Sequence, residues 1–222
     1  QQELFRRLTL NAGLRLQHNE LYGQEWIPQF GASFMLTPAL SFKTLVSKGF
    51  RSPTMRELYL WGTANEDLKP ERMWNYEAGL LNTWNELNMS TELSVFLVKG
   101  SNLIQTVFNG VNPQYMNSGE FENSGLEFSW KYRMNPKWNF MLNYTYLHLK
   151  EALLAAPRHQ LFMAAEYRSD KLGLYFCGRY IEHLITQIGN QSEGIEEKTS
   201  TYLTFDTRLS YYLNEHIDFF IK

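Results

Sequence analysis

The chain has one cysteine, Cys177, in 222 residues. That excludes an intramolecular disulfide and a thiolate metal cluster. It has no apolar run approaching the ~18 residues of a membrane-spanning helix. A helical membrane protein is thereby excluded, but not a membrane β-barrel, whose strands hide their apolar residues by alternation. An excess of one charge is missing too: 21 Lys+Arg face 23 Asp+Glu, for a formal net charge of −2. With its cations spread rather than clustered, the chain has no electrostatic footprint for nucleic acid. There is no G-x-S-x-G nucleophile motif. His183 beside Glu182 and His159 beside a long link are the only candidates for a histidine-based catalytic site, so an enzyme is not expected. The start, Gln1-Gln2-Glu3-Leu4, is polar almost at once and carries no signal peptide, as expected of a mature or excised segment.

What the chain does have is aromatic side chains, 15% of the total, arranged with period two. Leu8, Leu10, Ala12, Leu14 and Leu16 share one parity against Thr9, Asn11, Gly13, Arg15 and Gln17. Leu126, Phe128, Trp130 and Tyr132 alternate with Glu127, Ser129, Lys131 and Arg133. Trp138, Phe140, Leu142, Tyr144 and Tyr146 form a third series, and Leu203, Phe205, Thr207, Leu209 and Tyr211 a fourth. Weaker alternation at 28–36, 40–50, 74–83, 89–99, 159–168, 172–181 and from 216 brings the total to about eleven strands and no helix.

The links alternate as well. Short turns fall at Thr37-Pro38, Asn85-Glu86, Asn135-Pro136, Ser169-Asp170 and Asn214-Glu215, with longer links near 18–25, 51–72, 109–120, 149–157 and 189–200. In an antiparallel sheet this collects the tight turns at one end and the long loops at the other, as in outer-membrane barrels. A Lys or Arg facing hydrocarbon at the bilayer midplane costs roughly 2–4 kcal/mol. Glu127, Lys131, Asp206 and Arg208 therefore point to the lumen and the Leu/Phe/Tyr series to lipid. Lys99 shares the lipid-facing parity near a loop end, where it can snorkel to the headgroups. Trp84, Tyr132, Trp138, Tyr167, Tyr211 and Tyr212 gather beside the short turns like an interfacial girdle. A soluble sandwich or lipocalin-like binder also alternates, but uses ~7–10 shorter strands of about 5–6 residues.

One stretch, "GFRSPTMRELYLWGTANEDLKPERMWNYEAG" at 49–79, interrupts the alternation with two prolines, opposed charges and bulky apolar groups. It resembles the signature of TonB-dependent outer-membrane receptors. There an F-R-A-P-T-like box closes a strand, N-P-x-L-K-P-E follows a loop, and Y-E-x-G lies on the next strand. Phe50, Arg51, Pro53, Asn65, Leu68, Pro70, Glu71, Tyr76, Glu77 and Gly79 match; Ser52 replaces the usual Ala, and Glu66 stands where Pro is common. Asn123-Ser124-Gly125-Leu126-Glu127, Asn143-Tyr144-Thr145-Tyr146 with Pro157-Arg158-His159, and residues 204–222 are similar to later family segments, in the same order.

The resemblance implies an all-β, antiparallel transmembrane barrel portion in the outer membrane of a Gram-negative bacterium. It would supply about eleven of about 22 strands as one partial domain over residues 1–222. The plug, TonB box, first strands and last strand are expected outside it. It implies a receptor, not an enzyme, with no cofactor, that imports a siderophore-like metal chelate. Its partners would be TonB, reached through the plug, and outer-membrane lipid. Haem, cobalamin and copper are alternatives within the class.

In the loop, Arg56, Tyr59 and Trp61 are the expected ligand contacts, since cations and aromatics suit an anionic, partly aromatic chelate. The ten motif residues are expected to be structural. Haem receptors place a His between the two boxes, and residues 54–64 have none; His148 and His159 are the remaining axial candidates. Met55, Met73 and Met116 would suit copper. The runs at Glu120-Phe121-Glu122 and 193–197 would suit Ca²⁺, or else form a solvated loop face.

Overall fold

A computed structural model describes residues 2–4, 7–60, 62–109, 112–117, 119–150, 153, 155–187, 196–214 and 216–222. The described residues form fourteen strands: β1 (Gln2–Leu4), β2 (Leu8–Asn19), β3 (Gly23–Met35), β4 (Leu40–Arg51), β5 (Glu71–Trp84), β6 (Met89–Ser101), β7 (Ile104–Asn109), β8 (Asn112–Asn117), β9 (Glu120–Asn135), β10 (Trp138–Leu149), β11 (Pro157–Arg168), β12 (Leu172–Gln187), β13 (Lys198–Tyr212) and β14 (Asp218–Ile221). One α-helix, α1 (Met55–Tyr59), lies between β4 and β5, and a single 3-10 turn, Asn85–Leu87, joins β5 to β6. Twelve strands form one sheet in the order β1-β2-β3-β4-β5-β6-β9-β10-β11-β12-β13-β14, and β1 and β14 do not pair, so the sheet is not closed into a barrel. The eleven strands expected from alternation are β2–β6 and β9–β14.

Three features differ from the sequence expectation. Strands β7 and β8 pair as a hairpin from Ile104↔Asn117 to Asn109↔Asn112, so that part of the link expected near 109–120 is strand. The link near 18–25 is a tight turn: Asn19 Oδ1 accepts from the Leu21 and Tyr22 N–H groups at 2.8 and 3.3 Å, and Gly23 takes φ 74°. The alternation of short and long links therefore fails at its first member. Helix α1 is the third, and its cause is local. Thr54 and Glu57 form a capping box, each side chain bonding the other's backbone N–H.

The chain divides into two compact units. The first comprises Gln1–Phe34, Lys43–Ala78 and Phe96–Ser124; the second Met35–Phe42, Gly79–Val95 and Gly125–Lys222. In the second unit, register sorts the side chains. Pairings Trp138↔Tyr167, Leu142↔Met163, Met163↔Gly178, Tyr167↔Leu174, Leu174↔Leu209 and Gly178↔Phe205 place apolar groups of β10–β13 on one face. Asn139↔Glu166, Asn143↔Phe162, Cys177↔Asp206 and Tyr175↔Arg208 put the charged and amide groups on the other. Asp206 and Arg208 thus lie opposite the Leu/Phe series, as the lipid-cost reasoning requires. Of the six rings expected in the girdle, Tyr132, Trp138 and Tyr167 join Trp130 and Phe140 in a ring chain: Trp130–Tyr132, Tyr132–Phe140, Phe140–Trp138 and Trp138–Tyr167 have centroids 5.8, 6.3, 5.8 and 4.9 Å apart. Such spacing suits tilted or offset aromatic pairs. Tyr212 instead shares the face of Asp206 and Arg208, 5.2 Å from the Arg168 guanidinium. In the first unit, Lys99 meets Glu122 at 2.9 Å, so the lysine at the strand end is paired across the sheet.

Candidate functional site

The site is built in the first unit from the two strand ends that flank residues 52–70. At the end of β4, Arg51 spreads its guanidinium between two carboxylates. Its Nε and Nη2 donate to Glu71 Oε2 and Oε1 at 2.5 and 2.7 Å, and its Nη1 donates to both oxygens of Glu57 at 3.0 Å. The Glu71 side chain is only 7% exposed, and Oε1 also accepts the Ile104 N–H at 2.8 Å. One carboxylate therefore ties β4, β5 and β7 together. A bidentate Arg–carboxylate fork is the geometry in which charge-assisted hydrogen bonds are strongest.

Glu57 links this clamp to the helix. Its Oε2 accepts from the Thr54 N–H and hydroxyl at 2.7 and 2.9 Å. Burial pushes the Glu57 carboxyl up, but the hydrogen bonds from Thr54 and Arg51 outweigh it and hold the group below its ordinary value. Pro53, Leu58, Leu68 and Pro70 are buried, Leu58 and Leu68 to 2% exposure. Asn65 accepts from the Asp67 N–H through Oδ1, and its own N–H donates to Glu57 O. Tyr22, in the tight β2–β3 turn, donates its hydroxyl to Leu68 O at 3.1 Å.

With these groups turned inward, the short helix has an outer face. Met55 is 67% and Tyr59 46% exposed, and Arg56 is exposed between them. Residues three and four apart on a helix are neighbours. The Arg56 guanidinium has no ion pair among the described residues. Of the three expected ligand contacts, Arg56 and Tyr59 are therefore presented together; Trp61 lies outside the described residues.

The remaining motif positions act along the strands. Phe50 lies under the Arg72 guanidinium, 5.7 Å from ring to cation. Tyr76 stacks on Trp74 with centroids 6.4 Å apart. Glu77 offers its backbone carbonyl to the Thr44 hydroxyl at 2.9 Å, and its carboxylate accepts from the Asn75 side chain. In the second unit a Cβ on Gly79 would stand 3.1 Å from Leu93 O, tighter than nearly all real contacts, so Gly there permits close strand approach.

Ser52, where the family has Ala, carries a buried hydroxyl with no hydrogen-bond partner among the described residues. A buried unsatisfied donor costs about 1–3 kcal/mol. Ser52→Ala should therefore raise the melting temperature of a full-length receptor in detergent, for a gain of about 1 kcal/mol. A lower melting temperature would show that the hydroxyl is satisfied.

Residues that the sequence reading did not single out reinforce the rim. Glu25, buried in β3, accepts from Lys48 Nζ at 2.5 Å and from Arg72 Nε and Nη2 at 3.0 Å. Asn117 Oδ1 accepts the Lys69 N–H at 2.8 Å while its amide donates to Lys69 O and Asn102 O at 3.0 and 2.8 Å. No local sequence signal marks these, because each pairs residues more than 14 positions apart.

The metal candidates do not assemble. Among the described residues no three His, Cys, Asp or Glu side chains gather to hold a metal. His159 Nδ1 bonds the Tyr144 hydroxyl at 2.8 Å on the apolar face of β10 and β11, away from the polar face an axial ligand would need. His183, at φ 55°, approaches Glu197 at 3.9 Å rather than Glu182. Met73 packs against Gly49, while Met55 and Met116 are exposed. Glu122 is taken by Lys99, and residues 193–195 lie outside the described residues.

In the second unit, antiparallel strands with one apolar face and a run of neighbouring aromatic rings have the make-up of a membrane-spanning β-barrel wall. The family described as TonB dependent receptor-like, beta-barrel, matches residues 2–221, and the chain belongs to it. It is 27% identical over 186 residues to the iron-regulated outer membrane virulence protein of Vibrio cholerae, covering 70% of this chain and 28% of that protein. It is 22% identical over 219 residues to the vitamin B12 transporter BtuB of Photobacterium profundum, covering 92% and 34%. The crystal structure of the siderophore receptor PirA from Acinetobacter baumannii superimposes with a TM-score of 0.81 at 16% identity, over 97% of this chain and 39% of that one. The chain thus spans well under half the length of each of these proteins, and it is an outer-membrane protein like them.

Proposed function

We propose that the chain supplies part of the barrel wall and ligand-facing rim of a receptor importing a siderophore-class metal chelate. Uptake is energised by TonB, which acts through a plug carried by another part of such a receptor. The observation that carries the ligand assignment is the outer face of α1, which carries the exposed Arg56, with no ion pair among the described residues, and the exposed Tyr59 three residues on. A guanidinium next to an aromatic surface suits an anionic iron chelate with aromatic arms. The iron-regulated and siderophore-receptor relatives support iron; the vitamin B12 transporter supports a corrinoid as the second reading. Binding at the rim precedes TonB-driven remodelling of the plug, so no group in this chain forms or breaks a covalent bond.

The test is whole-cell uptake by the full-length receptor in a strain lacking its own siderophore receptors. Ferric enterobactin, an anionic tris-catecholate, carries radioactive iron as one probe, and radioactive cobalamin is the other. Iron accumulation that disappears when TonB is deleted supports the proposal. TonB-dependent cobalamin accumulation instead supports the corrinoid reading. Iron uptake that persists without TonB would overturn the mechanism.

A further inference from the structure

We infer that Asn117 is a positioning residue that locks the β7–β8 hairpin onto the 52–70 segment, so that the two present a single ligand-facing surface. The inference rests on the receptor reading above and goes beyond it, since neither the hairpin nor Asn117 belongs to the family motif.

The chemistry is that of a side chain imitating a strand. A peptide group has one donor and one acceptor; a carboxamide has an acceptor and two donors, so it can match a peptide and keep one donor over. Asn117 matches both groups of Lys69 at once, accepting its N–H at 2.8 Å and donating to its carbonyl at 3.0 Å. The same amide donates to Asn102 O at 2.8 Å, which ties the end of β8 to the start of the 102–119 connection. Asn102 sits at φ 61°, a left-handed conformation that Asn tolerates better than most residues. Its N–H donates to Gly119 O at 2.9 Å and its side chain to Pro70 O at 3.4 Å.

Farther along the hairpin, the Tyr115 N–H donates to Thr63 O at 2.8 Å and Asn65 Nδ2 donates to Tyr115 O at 2.9 Å. The Ile104 N–H reaches the buried Glu71 carboxylate. Apart from the Asn117–Asn102 and Asn102–Gly119 bonds, which close the base of the hairpin, each of these bonds joins the hairpin or its base to the segment between the two family boxes or to the residues just after it. A two-stranded hairpin is at best marginally stable by itself in water. This one pairs with no other strand among the described residues, so its attachment to 63–71 sets where it stands. Asn117 makes two of these attachments, both to Lys69, and a third bond that closes the hairpin base, all from one side chain.

Helix α1 belongs to the same segment. Its Glu57 is gripped by Arg51, and Arg51 by the Glu71 that also holds Ile104. A shift of the hairpin therefore moves the frame on which Arg56 and Tyr59 are mounted. Asn117 touches no ligand in this account; it fixes the relative placement of two surfaces that do.

The test uses the full-length receptor with Cys177 replaced by Ser and spin labels at Gly62→Cys and Met116→Cys. Gly62 has open space around it, and Met116 is 41% exposed. Distances are measured by pulsed electron resonance with no ligand present. The parent should give one narrow distribution. Asn117→Ala should add a second, longer population, and Asn117→Asp, which keeps the acceptor and loses both donations, should fall between. Ferric enterobactin binding to cells should weaken about fivefold to tenfold in Asn117→Ala, as expected for loss of about one net hydrogen-bond equivalent. The maximal uptake rate per receptor should stay unchanged, a split that a folding defect would not produce. A single narrow distribution in Asn117→Ala overturns the lock. A broadened distribution with unaltered affinity overturns the positioning role. The ligand-free distances stand apart from the transport assays, so failure of this inference is distinguishable from failure of the receptor assignment.

Discussion

Replacing Glu71 with Ala in a full-length receptor is expected to destabilise the rim by about 2–3 kcal/mol. Removing one partner of a well-buried pair can cost ~3–5 kcal/mol, and the half-exposed Arg51 side chain brings the figure down. The substitution removes both arms of the fork from Arg51 and leaves the Ile104 N–H without its acceptor. Glu77→Ala is the matched comparison, because both glutamates belong to the family motif. Among the described residues the Glu77 carboxylate meets only the Asn75 side chain, and Glu77 is exposed, so its loss should stay within about 0.5 kcal/mol. Thermal unfolding in detergent, with protease nicking between residues 52 and 70 as a local probe, separates the two. Equal effects would mean that the motif carboxylates are interchangeable surface charges and that the clamp described above has no mechanical role.

The second large effect is expected at Gly100, in β6. A Cβ there would overlap the Phe121 ring and stand 2.6 Å from Arg72 O. The ring could turn aside, but the carbonyl belongs to backbone and cannot move without shifting β5. An aromatic side chain covering a strand glycine is a recognised way of restoring packing where a side chain is missing. Gly100→Val should cost about 2–3 kcal/mol by overpacking. It should also lower the fraction of full-length receptor that migrates as a folded, heat-modifiable barrel. Phe121→Ala in the Val background should recover only part of the loss, since the clash with the carbonyl remains. Full recovery would assign the strain to the ring alone.

Much of the fold was legible because a strand repeats its signal over many residues. The alternation in Leu8–Leu16, Trp138–Tyr146 and Leu203–Tyr211 marks strands that the register then confirms. What the reading missed was short. Asn19 closes the β2–β3 turn through its own side chain, and a polar run from 18 to 25 looks the same whether it is tight or extended. The hairpin at 104–117 carried a legible signal, the Asn109-Gly110 pair between two short strand-like runs. Helix α1 was announced by Thr54 and Glu57 at capping-box spacing. At five residues it is too short for hydrophobic periodicity to register.

The site divides in the same way. Arg51, Glu71 and the buried Pro53, Leu68 and Pro70 were picked out through the motif, and the fork between Arg51 and Glu71 lies at the two strand ends that flank them. Their partners were not legible. Glu57 was noted as a loop charge, yet nothing in the chain says that it shares Arg51 with Glu71. Glu25 with Arg72, and Asn117 with Lys69, are brought together only by strand order.

The central claim is that the clamped segment is scaffold and that the outer face of α1 meets the ligand. The most direct measurement is whole-cell uptake of ferric enterobactin by a full-length receptor carrying Arg56→Ala, Tyr59→Ala and Trp61→Ala together, with surface amount determined in parallel. The account predicts normal surface amount and uptake reduced about tenfold or more, the equivalent of at least ~1.4 kcal/mol of lost binding. Unchanged uptake at normal surface amount would contradict it and leave the whole 52–70 segment as scaffold.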